Sequence, residues 1–134
     1  MSKRISIMLV GLLLLSSVLT ACGGASPVTF SSLPVFTGAT ESTNELAAPV
    51  LTAAVDALKA VSQSAEGKLY ELPAGTTFDA IMAFYKPVLE KGGWAVKGAA
   101  TGPEVVFLRS TQSINLVYIE ALNSLIVALA TGNK

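Results

Sequence analysis

The stretch that decides the fold is residues 104–130, EVVFLRSTQSINLVYIEALNSLIVALA. Branched and aromatic residues dominate it, and these residue types favour β-strands. Short polar interruptions divide it into three predicted strands, at 104–109, 113–121 and 124–130. Because the connections are only a few residues long, we predict that consecutive strands run antiparallel.

The last of these strands is apolar on both faces and carries neither a charge nor a proline. A strand of this kind is normally covered on both faces, and an uncovered one invites pairing with another chain. Since we expect helices on only one face of the sheet, either this strand is interior to the sheet or its outer face and edge meet a partner. We hypothesise the partner. The candidate interaction residues are Leu125, Ile126, Val127 and Leu129.

Two helices are predicted upstream of these strands. The first lies between residues 49 and 63, where Leu51, Val55 and Leu58 recur at helical spacing. The second is predicted to begin at a Thr76 cap, with Asp79 three residues later, and to end near Gly92. Both patterns indicate amphipathic helices that pack on a sheet.

Further strands are predicted at 68–72 and 94–97, and Pro34 limits residues 33–39 to an edge strand or an extended segment. The fold class is therefore α+β, an antiparallel sheet of four or five strands with two helices packed on one face. We expect Trp94 to cover the seam between helix and sheet.

The first 22 residues have the layout of a secretory signal. Lys3 and Arg4 precede an apolar run, residues 5–19, and small residues follow. A plain secretory signal and an uncleaved membrane anchor are the alternatives. The apolar run is shorter than the ~20 residues of a typical membrane span, which argues against the anchor.

The sequence Leu19-Thr20-Ala21-Cys22 resembles the lipobox of bacterial lipoproteins. The resemblance implies that the Cys22 thiol receives a diacylglycerol, that residues 1–21 are removed, and that acyl chains such as palmitate anchor the protein. Residues 22–32 would then form the lipidated cysteine and a flexible tether, and 33–134 a single domain. The implied location is the extracytoplasmic side of the cell membrane, or the outer membrane in a cell that has one.

The remainder of the chain resembles small exported bacterial domains of unassigned function. The resemblance rests on an early Leu-Pro-aromatic-Gly-Ala segment (33–39), on Tyr-Glu-Leu-Pro-Ala-Gly-Thr-Thr-Phe-Asp (70–79), on Phe84-Tyr85 and on Gly-Gly-Trp (92–94). These motifs turn corners and begin helices. They imply a fold and no particular chemistry.

The composition argues against most chemistry. Cleavage would remove Lys3 and Arg4, leaving seven basic against nine acidic side chains and a net charge of −2, without a basic run for nucleic acid. There is no histidine, and Cys22 is the only cysteine. The usual general base and zinc ligands are therefore missing.

We accordingly predict a protein that is not an enzyme and has no metal or cofactor beyond the covalent lipid on Cys22. The predicted function is a non-catalytic interaction module of the cell envelope, or an accessory subunit of a membrane complex. Its expected partners are the membrane and another envelope protein or a second copy. The alternative is a lipoprotein that binds a small molecule or lipid in the groove between helices and sheet, which would require a pocket of roughly 300 Å³.

Overall fold

The computed structural model describes residues 26–100 and 102–134. These residues form two α-helices and one sheet of six strands. In chain order the elements are β1 (Thr40–Glu41), α1 (Ala48–Val61), β2 (Ser64–Glu71), α2 (Phe78–Lys91), β3 (Ala95–Val96), β4 (Glu104–Arg109), β5 (Gln112–Ile119) and β6 (Ser124–Thr131). The predicted α+β class with an antiparallel sheet is confirmed, with six strands rather than four or five.

The strand order across the sheet is β1-β2-β6-β5-β4-β3, and every neighbouring pair is antiparallel. Tight turns connect β4 to β5 and β5 to β6, as the sequence predicts. At the second turn, Asn123 adopts a left-handed conformation and its side-chain amide donates to the carbonyl oxygen of Leu72 at 2.7 Å. This bond links the turn to the residue that follows β2, the strand that pairs with β6 along the edge opposite β5.

The two helices lie on opposite faces of the sheet, which corrects the prediction that both pack on one face. Leu125, Val127 and Leu129 of β6 belong to the cluster that contains the buried side chains of α2. Ile126 faces the other way and packs with Leu51 of α1. The physical reason is that β6 is apolar on both faces, so one helix on each face buries more of it than two helices on the same face.

The start of α2 is one residue later than predicted. Thr77 is the N-cap, and its hydroxyl accepts a hydrogen bond from the backbone N–H of Ala80 at 3.2 Å. Thr76 instead donates its hydroxyl to the carbonyl oxygen of Pro73 at 2.7 Å. The helix continues through Pro87 to Lys91, and Trp94 beyond it is buried against the same cluster, at the predicted seam.

Residues before the predicted boundary at Leu33 also contact the domain. The side-chain amide of Gln112 accepts from the N–H of Val28 and donates to its carbonyl oxygen, both at 2.9 Å. Phe30 is buried in the core beneath α2. Residues 28–32, assigned from the sequence to the tether, are therefore packed on the domain.

Candidate binding surface on the α1 face of the sheet

Helix α1 lies close to the sheet because β2 has a glycine beneath it. A Cβ atom added at Gly67 would lie 2.7 Å from Val55 Cγ2 and 3.2 Å from Leu51 Cδ1, both on α1. It would also lie 3.3 Å from the Cβ of Ala128 on β6. Such distances are too short for ordinary contact, so the missing side chain is what allows α1 to sit over β2 and β6.

The same face of β4 and β5 has no helix over it in the described part of the chain. The strand register places Val106 opposite Asn115 and Glu104 opposite Val117, and Leu108 continues the row on β4. Leu108 is 41% exposed, and the other side chains of the row are half-buried except for the exposed Glu104. We call Val106, Leu108, Asn115 and Val117 the open sheet face.

A shallow groove separates α1 from the open sheet face. Its volume is about 130 Å³, and it is open to solvent along one side. The wall on the α1 side is formed by Ala54, Ala57 and Leu58, and the floor by Asn115, Val117, Ile126 and Ala128, with Glu104 at the rim. This volume is less than half of the ~300 Å³ at which small-molecule pockets begin.

The charges around the groove are few. Within residues 26–100 and 102–134 the one ion pair joins Lys68 to Glu41 at 3.0 Å on the opposite edge of the sheet. The hydrogen bond and the charge of Glu41 raise the pKa of Lys68 above its ordinary value. Glu104, in contrast, forms no ion pair with any basic side chain among the described residues.

The described residues do not provide a metal-binding cluster. No group of three or more cysteine, aspartate or glutamate side chains among them could hold a metal ion. Within the same residues, the Tyr85 hydroxyl is buried without a hydrogen-bond partner. Burial raises the pKa of Tyr85 to about 12, and the backbone of Phe36 partly opposes the shift although its geometry falls short of a hydrogen bond. The phenol of Tyr85 lies on the buried face of α2 and is part of the core.

The residues that the sequence singled out lie elsewhere. Cys22 is outside the described residues. Leu125, Ile126, Val127 and Leu129 are at most 6% exposed and belong to a strand in the interior of the sheet. The expectation that they form an interaction surface is corrected, because α2 covers one face of β6 and α1 covers the other.

Sequence reasoning missed the open sheet face. Strand β4 has apolar residues on both faces, Val105 and Phe107 on one and Val106 and Leu108 on the other, and this pattern was the available signal. It could not identify the uncovered strand, because that depends on where α1 crosses the sheet.

No helix among the described residues is long and apolar enough to span a membrane. Comparisons of the chain with known protein families, with curated proteins and with solved structures found no match.

Proposed function

We propose that this protein is a cell-envelope lipoprotein, anchored by an acylated Cys22, whose domain is a non-catalytic interaction module for another envelope protein. The lipobox-like sequence Leu19-Thr20-Ala21-Cys22 supports the anchor. The open sheet face supports the interaction module, and it is the observation on which the proposal depends. Partly exposed apolar side chains on a rigid sheet, beside a shallow groove, are typical of protein contact sites.

The partner is an amphipathic helix that lies beside α1. Neighbouring strands are ~4.8 Å apart and a helix is ~10 Å across, so each helix covers about two strands. Helix α1 lies over β2 and β6, which leaves β5 and β4 with the width of one further helix. The small side chains of Ala54 and Ala57 on the groove wall allow such a helix to approach closely.

Charge further specifies this helix. Glu104 is exposed at the rim of the groove and has no ion pair within the described residues. A lysine or arginine at the edge of the partner's apolar face would match it. The partner helix is therefore apolar on one side, with a basic residue at its border.

The groove volume argues against the small-molecule alternative. At about 130 Å³, the groove would leave most of a drug-sized ligand in solvent, whereas binding pockets bury most of their ligand's surface. A helix needs no enclosed pocket, because it contributes its own side chains to fill the groove.

Site-specific photo-crosslinking tests the module. A photoreactive residue at position 108 should crosslink in intact cells to an apolar helical segment of another envelope protein, identified by mass spectrometry. The matched control is position 88, since Val88 is 47% exposed on the outer surface of α2. Leu108→Glu should abolish co-purification of the identified partner, while Val88→Glu should leave it unchanged.

Two outcomes contradict this proposal. Equal crosslinking at positions 108 and 88 would show that the open sheet face is not selective. Crosslinking of position 108 to a second copy of this chain would replace the partner protein with self-association.

The anchor is tested separately. Cys22→Ala should abolish incorporation of labelled fatty acid and leave the precursor uncut. A processed, membrane-bound Cys22→Ala protein would contradict lipid anchoring without affecting the crosslinking result.

A further inference from the structure

The folded chain separates its charges along the strand direction. Helix α1 ends just before β2 begins, and α2 begins shortly after β2 ends. Both helices therefore run antiparallel to β2, and their C-termini lie at the end of the sheet where β2 begins. At that end β2 and β5 begin and β4 and β6 finish. We call it the basic end, and its basic side chains are Lys59, Lys91, Arg109 and Lys134.

Contacts place these four residues in two pairs, Lys59 with Lys134 and Lys91 with Arg109. The ammonium group of Lys134 donates to the carbonyl oxygen of Lys59 at 2.6 Å. The guanidinium of Arg109 lies 5.9 Å from the ring centre of Trp94, and its Nε would be 3.6 Å from a Cβ at Gly93. Gly93 is two residues beyond Lys91, so these residues occupy one end of the domain although they are far apart in the sequence.

The opposite end is acidic. Six of the nine acidic side chains lie where β2 and β5 finish and the helices begin: Glu41, Glu45, Glu71, Asp79, Glu104 and Glu120. Lys68, paired with Glu41, offsets one of them. At the basic end, Glu90 beside Lys91, Asp56 one turn before Lys59 and Glu66 near the start of β2 offset part of the positive charge. The domain is consequently polarised from one end to the other.

Helix dipoles account for only part of this arrangement. Lys59 and Lys91 lie in the last turns of α1 and α2, where a positive charge stabilises the helix. Lys134 follows the last strand, but its ammonium group donates to the carbonyl oxygen of Lys59 in the last turn of α1, so it also stabilises a helix C-terminus. Arg109 ends a strand, so the helix dipoles do not account for its position.

The chain enters the domain at the basic end. Val28 is held by Gln112, the first residue of β5. From Cys22 to Val28 the chain spans at most ~22 Å when fully extended, at ~3.6 Å per residue. Acyl chains on Cys22 would therefore hold the basic end nearer to the membrane than the acidic end.

We propose that the basic end is a docking surface for anionic lipid headgroups, which orients the domain with its acidic end away from the membrane. This inference rests on the lipid anchor of the proposed function. The anchor supplies proximity, and the segregated charges select one orientation, because the acidic end is repelled by the same surface. Docking of this kind leaves the open sheet face, which lies along the side of the domain, accessible to a partner.

Trp94 provides an intrinsic probe, because it is the only tryptophan and lies beside Arg109 at the basic end. The acylated protein is reconstituted into vesicles that contain spin-labelled headgroups, either with 30% phosphatidylglycerol or with phosphatidylcholine alone. Quenching of Trp94 fluorescence should be strong in the anionic vesicles at 0.1 M salt. It should fall to the level of the neutral vesicles at 1 M salt, where the screening length shrinks from ~10 to ~3 Å.

Two double variants remove the same charge from different places. Lys59→Gln with Lys91→Gln should lower the ratio of docked to undocked protein roughly 25-fold, at about fivefold for each charge. Lys86→Gln with Lys97→Gln, at exposed positions nearer the middle of α2 and of β4, should lower quenching much less. Circular dichroism verifies that both variants are folded.

The outcomes separate the two proposals. Failure of the wild-type protein to float with neutral vesicles would contradict the anchor. Flotation with equal quenching in neutral and anionic vesicles would overturn the docking surface alone. Equal losses of quenching in the two double variants would show that docking responds only to the net charge of the protein. That result would also overturn the docking surface.

Discussion

The sheet face beneath α2 and the face beneath α1 differ in how much of the chain covers them. On the α2 face, the helix buries Ile81, Tyr85 and Leu89. Phe30 from the N-terminal segment and Trp94 after the helix extend the cover. On the α1 face none of the helix's fourteen residues, all within the described part of the chain, is buried.

Under the proposed function, this difference separates stability from recognition. The α2 face supplies most of the buried apolar area, which is the main favourable contribution to folding. The α1 face holds a smaller cluster around Ala47, Leu69 and Ile126 and leaves part of the sheet uncovered. A face that contributes less to stability can accommodate exposed apolar residues for a partner.

The largest predicted effect compares one leucine on each helix. Leu89→Ala on α2 should lower the free energy of unfolding by about 2–5 kcal/mol, because it leaves a cavity in a sealed core. Leu51→Ala on α1 should lower it by about 1–2 kcal/mol, since Leu51 is already half-exposed. Urea denaturation measures both, and equal losses would contradict the contrast between the faces.

A smaller effect is expected from Gly67→Ala. The new methyl group would collide with Val55 Cγ2 at 2.7 Å and push α1 away from the sheet, at a cost of about 1–3 kcal/mol. Adding Val55→Ala should recover part of the loss, because it removes the nearest obstructing atom. A neutral or stabilising Gly67→Ala variant would show that α1 is free to shift.

The two helices also differ in their N-cap residues. Thr77 caps α2 through a side-chain hydrogen bond, whereas Ala47 at the start of α1 offers none. Thr77→Ala should therefore lower the free energy of unfolding by about 1 kcal/mol. Thr76→Ala should lower it less, since water can replace the exposed bond to Pro73. If Thr76→Ala lowered the denaturation midpoint more than Thr77→Ala does, Thr76 would be the residue that caps α2.

The smallest effect at neutral pH is expected from Tyr85→Phe, because the hydroxyl it removes has no hydrogen-bond partner among the described residues. The variant should differ from the wild type at high pH. Burial raises the pKa of folded Tyr85 to about 12, while the unfolded side chain ionises near 10. The wild type therefore loses stability as the pH rises from 10 towards 12, and Tyr85→Phe should lose less. Parallel pH profiles of the two proteins would indicate that water reaches the hydroxyl.

Local patterns in the sequence determined most of the elements, although β1 was not predicted and β2 begins at Ser64 rather than at residue 68. The α2 helix was predictable within a residue or two because threonines precede it and Gly92 follows it. The strands of β4, β5 and β6 followed from their composition, and their antiparallel pairing from the short turns between them. The lipobox-like leader is also a local pattern, and lipidation of Cys22 stays a prediction.

Only the tertiary structure decided how distant segments meet. The pairing of β2 with β6, and the crossing of α1 over the face opposite α2, join parts of the chain that no turn connects. Those arrangements buried the four residues proposed from β6 and left β4 and β5 open. They also gathered Lys59, Lys91, Arg109 and Lys134 at one end, although the sequence contains no basic run there. The physical reason is that turns and caps depend on neighbouring residues, whereas the choice of face depends on how the whole chain buries a strand that is apolar on both sides.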